Sequence, residues 1–176
     1  MKILQLCCFT NLWPDHHQVY SIDLRLNRNI FDYPSIYGKN FDLIVAAPPC
    51  DQYTKANSAN WLMDPSKFNE ITAKCLALIF SSGQNWILEN PPGRIEYFFP
   101  ELTKFRIVTW SGSVTKKEYV IYSNMLILTP GTKQYFGKLT CSNLTKKQRE
   151  LWQPDFINDI CRSIPNCLLS TEIQSS

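Results

Sequence analysis

Two segments constrain the fold more than any other: Phe41 to Ala47, "FDLIVAA", nearly continuous in apolar residues, and Gln84 to Asn90, "QNWILEN", with an unbroken apolar centre at Trp86, Ile87 and Leu88. A strand that is apolar on both pleat faces must be covered on both, the condition of a strand inside a parallel sheet. Between them the pattern changes to a helical period. Asp64 is a candidate N-cap, Pro65 stands at the first helical position, and Phe68, Ile71, Cys75, Leu78 and Ile79 form one stripe that Ser81, Ser82 and Gly83 bring to an end. Further strands are predicted at Lys2 to Leu6, Gln18 to Leu24, Phe105 to Trp110, Glu118 to Ser123 and Met125 to Pro130. A last helix follows "QPD", with Asp155 as its cap and an apolar stripe of Phe156, Ile157, Ile160, Cys161 and Ile164. Both stripes read as core packing. The fold class is α/β, a mostly parallel sheet with helices on both faces. A chain of 176 residues fits one domain, assigned to 1–170, with 171–176 as a flexible tail.

Composition narrows the partners less than it narrows the class. Apolar residues at 44% and aromatics at 13% exclude a disordered chain. A net charge of +3 is compatible with nucleic acid without requiring it. No window approaches the roughly 18 apolar residues of a membrane span, so no membrane partner is expected. The seven cysteines (Cys7, Cys8, Cys50, Cys75, Cys141, Cys161 and Cys167) are odd in number and follow no secretory signal, which predicts free thiols in a reducing cytoplasm. No metal site is expected: there is no CxxC pair, and adjacent Cys7–Cys8 and His16–His17 suit few coordination geometries.

In parallel sheets chemistry collects beyond the carboxyl ends of the strands. That rule selects Cys7 to Asn11, Asp23, Cys50 to Tyr53 and Glu89 to Arg94. Two of these stretches carry reactive groups. In "APPCDQYTKAN" the prolines Pro48 and Pro49 fix the backbone before Cys50, as suits a nucleophile that must meet one atom at bonding distance. Backbone N–H groups of such a loop can lower a thiol's pKa. A plain buried cysteine reads equally well from this stretch alone. In "WILENPPGR" Glu89 follows apolar Trp86, Ile87 and Leu88, where desolvation would favour its proton-donating acid form. The bland alternative is a glutamate that reaches solvent or pairs with Arg94.

Taken together, the two motifs resemble those of the DNA cytosine-5 methyltransferase family, and most closely its short phage-type members. The order of a strand into "PPC", a helix of about four turns, then "WILENPPG" matches the family. "VTWSGSVTKKEYVIYSN" and "TKKQRELWQPDFINDICRSI" resemble later family segments, so the likeness runs from about Lys2 to Ile164. It implies a Rossmann-like class I methyltransferase fold and S-adenosylmethionine as methyl donor. Cys50 would add to cytosine C6 and Glu89 would protonate N3. Asp23 would hold the cofactor's ribose, Asp32 its adenine, and Cys8, Phe9 and Pro48 would line its pocket. Pro49, Gln52, Asn90, Pro91, Arg94, Lys116 and Lys117 would meet the substrate, a cytosine in DNA or a nucleotide. The host would be a bacterium or a phage-infected cell.

Three departures bear on this resemblance. The family's opening loop is glycine-rich; here it reads "LCCFTNLW", and no glycine occurs before Gly38. Only eleven residues separate the first two strands, and Pro14 lies among them, so the first crossover helix is expected to be reduced to a turn. About 20 residues, Asn124 to Leu144, stand where the family carries its recognition region. Duplex recognition would then need a partner, or the substrate would be single-stranded. Lys146, Lys147 and Arg149, like Lys116 and Lys117, are candidate phosphate contacts or simply solvated surface, and Trp61 is a candidate base stacker or a packing residue. Adduct chemistry without S-adenosylmethionine, and a catalytically inactive binding protein, remain as alternatives.

Overall fold

The computed structural model describes residues 1–8, 13–54, 64, 66–111, 118–125 and 154–164. Six strands form one sheet: β1 (Lys2–Leu6), β2 (Gln18–Ile22), β3 (Leu43–Ala46), β4 (Asn85–Asn90), β5 (Arg106–Ser111) and β6 (Glu118–Ser123). Their order is β2-β1-β3-β4-β6-β5. The first four pair in parallel, while β6 runs antiparallel between β4 and β5. The sheet is therefore mixed but mostly parallel. The order in which strands are added reverses between β1 and β3: β2 lies to one side of β1, and later strands lie to the other. Such a switch point opens a crevice at the carboxyl ends of the two strands.

Helices cover both faces. The alternation of β1, β3 and β4 sends Leu4, Leu6, Ile44, Ala46, Trp86 and Leu88 to one side, where they pack with Cys75, Leu76, Leu78 and Ile79 of α1 (Ser66–Ser82). Ile3, Leu43, Val45 and Ile87 face the other way and meet Ile157, Ile160, Cys161 and Ile164 at the carboxyl-terminal helix (Pro154–Ser163). Pure apolarity in β3 is thus the consequence of two cores sharing one strand. Asp64 accepts from the Ser66 N–H at 3.0 Å, and Gly83 takes a φ of +69° at the end of α1. A short helix, α2 (Ile95–Phe98), follows β4, which makes the carboxyl-terminal helix α3. Among the described residues no helix is long and apolar enough to cross a membrane.

Several boundaries differ from expectation for local reasons. β2 stops at Ile22, not Leu24, because Asp23 caps a 3-10 turn over Leu24–Leu26 that left-handed Asn27 closes. Lys2 and Asp42 hold one another through two hydrogen bonds, and regular β3 begins after them. Phe105 ends the 3-10 helix Pro100–Phe105 and does not open β5. Asp155 lies inside α3, which Pro154 begins, so it is not the cap residue. Between β1 and β2, the described residues from Trp13 contain a turn closed by the His17 N–H on the Pro14 carbonyl, in place of a helix. Of the strand expected at Met125 to Pro130 only Met125 is described, past the end of β6, and the tail after 170 lies outside the described residues.

The docking of α3 can be weighed directly. Ile160→Ala should cost about 2–5 kcal/mol of stability in urea unfolding, since it empties a fully buried site. Asn158→Ala, on the exposed side of the same helix, should change it by less than about 0.5 kcal/mol.

Candidate active site

The site begins where β3 leaves the sheet. Ala47 extends the ladder by one bond, donating to the Leu6 carbonyl at 3.0 Å. Pro48 and Pro49 then have no N–H to continue it. The carbonyl of Cys50 accepts from both Tyr53 and Thr54 N–H, at 2.8 and 2.9 Å, which curls the chain into a tight turn with Cys50 at its start. Tyr53 pins that turn to α1. Its ring is fully buried, and its hydroxyl donates to Asn69 Oδ1 at 2.8 Å and lies 3.0 Å from Thr72 Oγ1. Burial raises its phenol pKa.

The loop after β4 is clasped to this turn at four places. Asn90 Nδ2 donates to the Pro48 carbonyl at 3.2 Å. Arg94 donates from its backbone N–H to the Tyr53 carbonyl at 2.8 Å and from Nε to the Gln52 carbonyl at 2.9 Å. Thr54 and Gly93 form an antiparallel bridge. The approach is so close that a Cβ on Gly93 would sit 1.7 Å from the Tyr53 oxygen, so this position admits glycine alone. The clasp fixes the "PPC" and "ENPPG" loops to one another. Glu89, only 5% exposed, follows Ile87 on the α3 side of β4, with Ile121 opposite it in β6. Cys50 is half-buried.

The buried acceptors here with no hydrogen-bond partner among the described residues are Gln52 Oε1 and Asn90 Oδ1. The Asn90 amide is oriented by its bond to Pro48, so the oxygen is left over on geometric grounds. Buried acceptors of this kind are uncommon and point to a missing donor.

The other half of the expected site is arranged differently. Asp23 is buried at the end of β2, but both its oxygens are held by Arg25, at 2.8 Å from Nε and 2.7 Å from Nη2. Burial pushes its pKa up; the Arg25 hydrogen bonds outweigh this and leave it below the ordinary carboxylate value. Cys8 is buried with its thiol donating to the Val45 carbonyl at 3.7 Å, in the α3-side core beside Trp13. Burial first, then the negative charges of Cys7, Glu89 and Asp23, push that thiol's pKa well up. Asp32 lies exposed on a 3-10 turn over Ile30–Asp32. An S-adenosylmethionine cradle needs open backbone beyond β1 and a carboxylate available to ribose hydroxyls. The described residues do not fit that need: side chains fill the first place and Arg25 takes the second.

Pro49 and Pro91 are half-buried beside the clasp. Phe9, Lys116, Lys117, Trp61, Lys146, Lys147 and Arg149 lie outside the described residues. The carboxyl-end rule took in Tyr53 and Gly93 without giving either a role, and sequence reasoning missed Arg25. Among the described residues no three His, Cys, Asp or Glu side chains converge as metal ligands. No protein-family model matches the chain, and a search of curated proteins finds no similar sequence.

Two outcomes test this geometry. Gly93→Ala should lose about 1–3 kcal/mol or more in chemical denaturation, through overpacking against Tyr53. Asp23, with its folded pKa depressed, adds stability that is complete above the unfolded carboxylate value and is lost as pH falls through the folded value. Asp23→Asn should therefore flatten the fall of stability below about pH 4, measured by unfolding at stepped pH.

Proposed function

We propose that this chain modifies the C5 position of a pyrimidine base through a covalent adduct, in the manner of a cytosine-5 methyltransferase with a Rossmann-like fold. The observation that carries the reading is the clasp, which holds a thiol-bearing loop and a carboxyl-bearing strand end against each other at the carboxyl edge of a parallel sheet. The Cys50 thiolate forms a bond to C6, and the C5–C6 π electrons move through the ring to N3. Glu89 delivers its proton there, leaving a neutral enamine whose C5 is nucleophilic. Once C5 has taken its electrophile, loss of the C5 proton expels the Cys50 sulfur and restores the ring. The Gln52 and Asn90 oxygens favour a ring that brings an N–H donor, such as the 4-amino group of cytosine.

The family resemblance alone would make S-adenosylmethionine the methyl donor, a group that the described residues do not fit. The Asp23–Arg25 pair and the inward packing of Cys8 and Trp13 favour a second reading, in which the adduct chemistry serves a different electrophile. The substrate is a cytosine in single-stranded DNA, in a duplex opened with a partner's help, or in a nucleotide. In a duplex the base would have to be flipped out at a cost of a few kcal/mol.

The test is a trap with 5-fluorocytosine DNA and, separately, the nucleotide. Wild type should form a covalent complex that survives denaturation, Cys50→Ser should form none, and Glu89→Gln should form it about 10²–10⁴-fold more slowly. No adduct with any cytosine or uracil substrate would overturn the reading in favour of a binding protein. Calorimetry with S-adenosylmethionine separates the two variants: heat of binding supports the methyl donor, and adduct formation without binding supports another electrophile.

A further inference from the structure

Two thiols that the adduct chemistry leaves unused meet inside the molecule. Cys7 ends β1 and Cys75 lies near the middle of α1, 68 positions away, yet their sulfurs are 3.9 Å apart. Cys75 is fully buried and Cys7 partly so. Cys7 is held firmly in this place. Its φ of +54° lies in the left-handed region that residues other than glycine rarely occupy. Its N–H donates to the Ile22 carbonyl at 2.9 Å, and the next residue, Cys8, turns to the opposite core. Adjacent cysteines are thus divided between the two faces of the sheet, and only Cys7 is aimed at α1. The hydrogen bond with Cys7, together with burial, pushes the Cys75 thiol's pKa well up.

We propose that Cys7 and Cys75 are an oxidative cross-linking site for a hydroperoxide. The Cys7 thiolate attacks the peroxide oxygen, the O–O bond breaks, and Cys7 becomes a sulfenic acid as the peroxide is reduced to water or an alcohol. The Cys75 sulfur then attacks the Cys7 sulfur, the S–O bond breaks, and the departing hydroxide leaves as water with the Cys75 proton. The two thiols have lost two electrons and two protons in all. Closing the bond needs a contraction of roughly 2 Å, from 3.9 Å to a disulfide length near 2.05 Å. The product ties the end of β1, one wall of the switch-point crevice, to the helix whose Asn69 and Thr72 hold Tyr53. Cys50 remains a free thiol throughout.

The experiment oxidises the intact wild-type protein with limiting hydrogen peroxide, alkylates it and maps its peptides without reduction. The expected result is a Cys7–Cys75 linked peptide, a protein mass lower by two hydrogens, and reversal by dithiothreitol. Cys8→Ser should keep the link. Cys75→Ser should lose it and leave Cys7 as a sulfenic acid that dimedone captures. A wild-type protein whose first disulfide joins Cys8 or Cys50, or whose Cys7 proceeds to sulfinic acid unlinked, would overturn the proposal. The readout is a mass and not an activity, so its outcome is separate from that of the adduct trap.

Discussion

Everything distinctive in this molecule depends on one backbone approach, the contact of Gly93 with the carbonyl of Tyr53. Two loops leave neighbouring parallel strands, each stiffened by a pair of prolines. Stiffness alone would leave them independent. The absent side chain at Gly93 lets them touch, Arg94 spans them from both its backbone and its side chain, and Asn90 reaches back to Pro48. Tyr53 then transfers the restraint to α1. A thiol and a carboxyl group carried on separate strands are placed relative to one another by contacts that involve neither. Positioning of this kind, fixed before any ligand arrives, is what a two-group reaction requires.

The elements were legible because each is long enough to show its period. β3 and β4 read as strands with two covered faces, and both cores bear that out through Ile44 and Ala46 on one side and Leu43 and Val45 on the other. The stripe in α1 likewise marked the buried residues Cys75, Leu78 and Ile79. What was missed lies between elements, where no period operates. Gln18 to Leu24 looked continuous because Leu24 is apolar, yet Leu24 is exposed on a turn that Asp23 caps. The antiparallel entry of β6 between β4 and β5 depends on pairing across the sheet, which a linear pattern does not encode. At the site, Cys50 and Glu89 stood out by chemical type. Tyr53 and Gly93 did not, because their importance is a distance between loops.

The two sides of the switch point pair their polar groups differently. On the β3–β4 side, the buried acceptors Gln52 Oε1 and Asn90 Oδ1 have no donor among the described residues. On the β1–β2 side, Arg25 satisfies Asp23 and Cys8 gives its hydrogen to Val45, while the buried Trp13 indole N–H has no partner among the described residues. Cys7, in its left-handed conformation, stands at the border between them.

The anchoring of Tyr53 also shapes how the protein breathes. The amides of Tyr53 and Thr54 are both committed to the Cys50 carbonyl, and the tyrosine ring is seated between Asn69 and Thr72. Local opening of this turn cannot proceed as loop fraying, because it withdraws a buried ring from a helix. In native-state hydrogen exchange these two amides belong with the slow-exchanging set of α1, well apart from ordinary loop amides. The Cys50 turn is thereby a part of the helix's cooperative unit, although it is connected to the sheet.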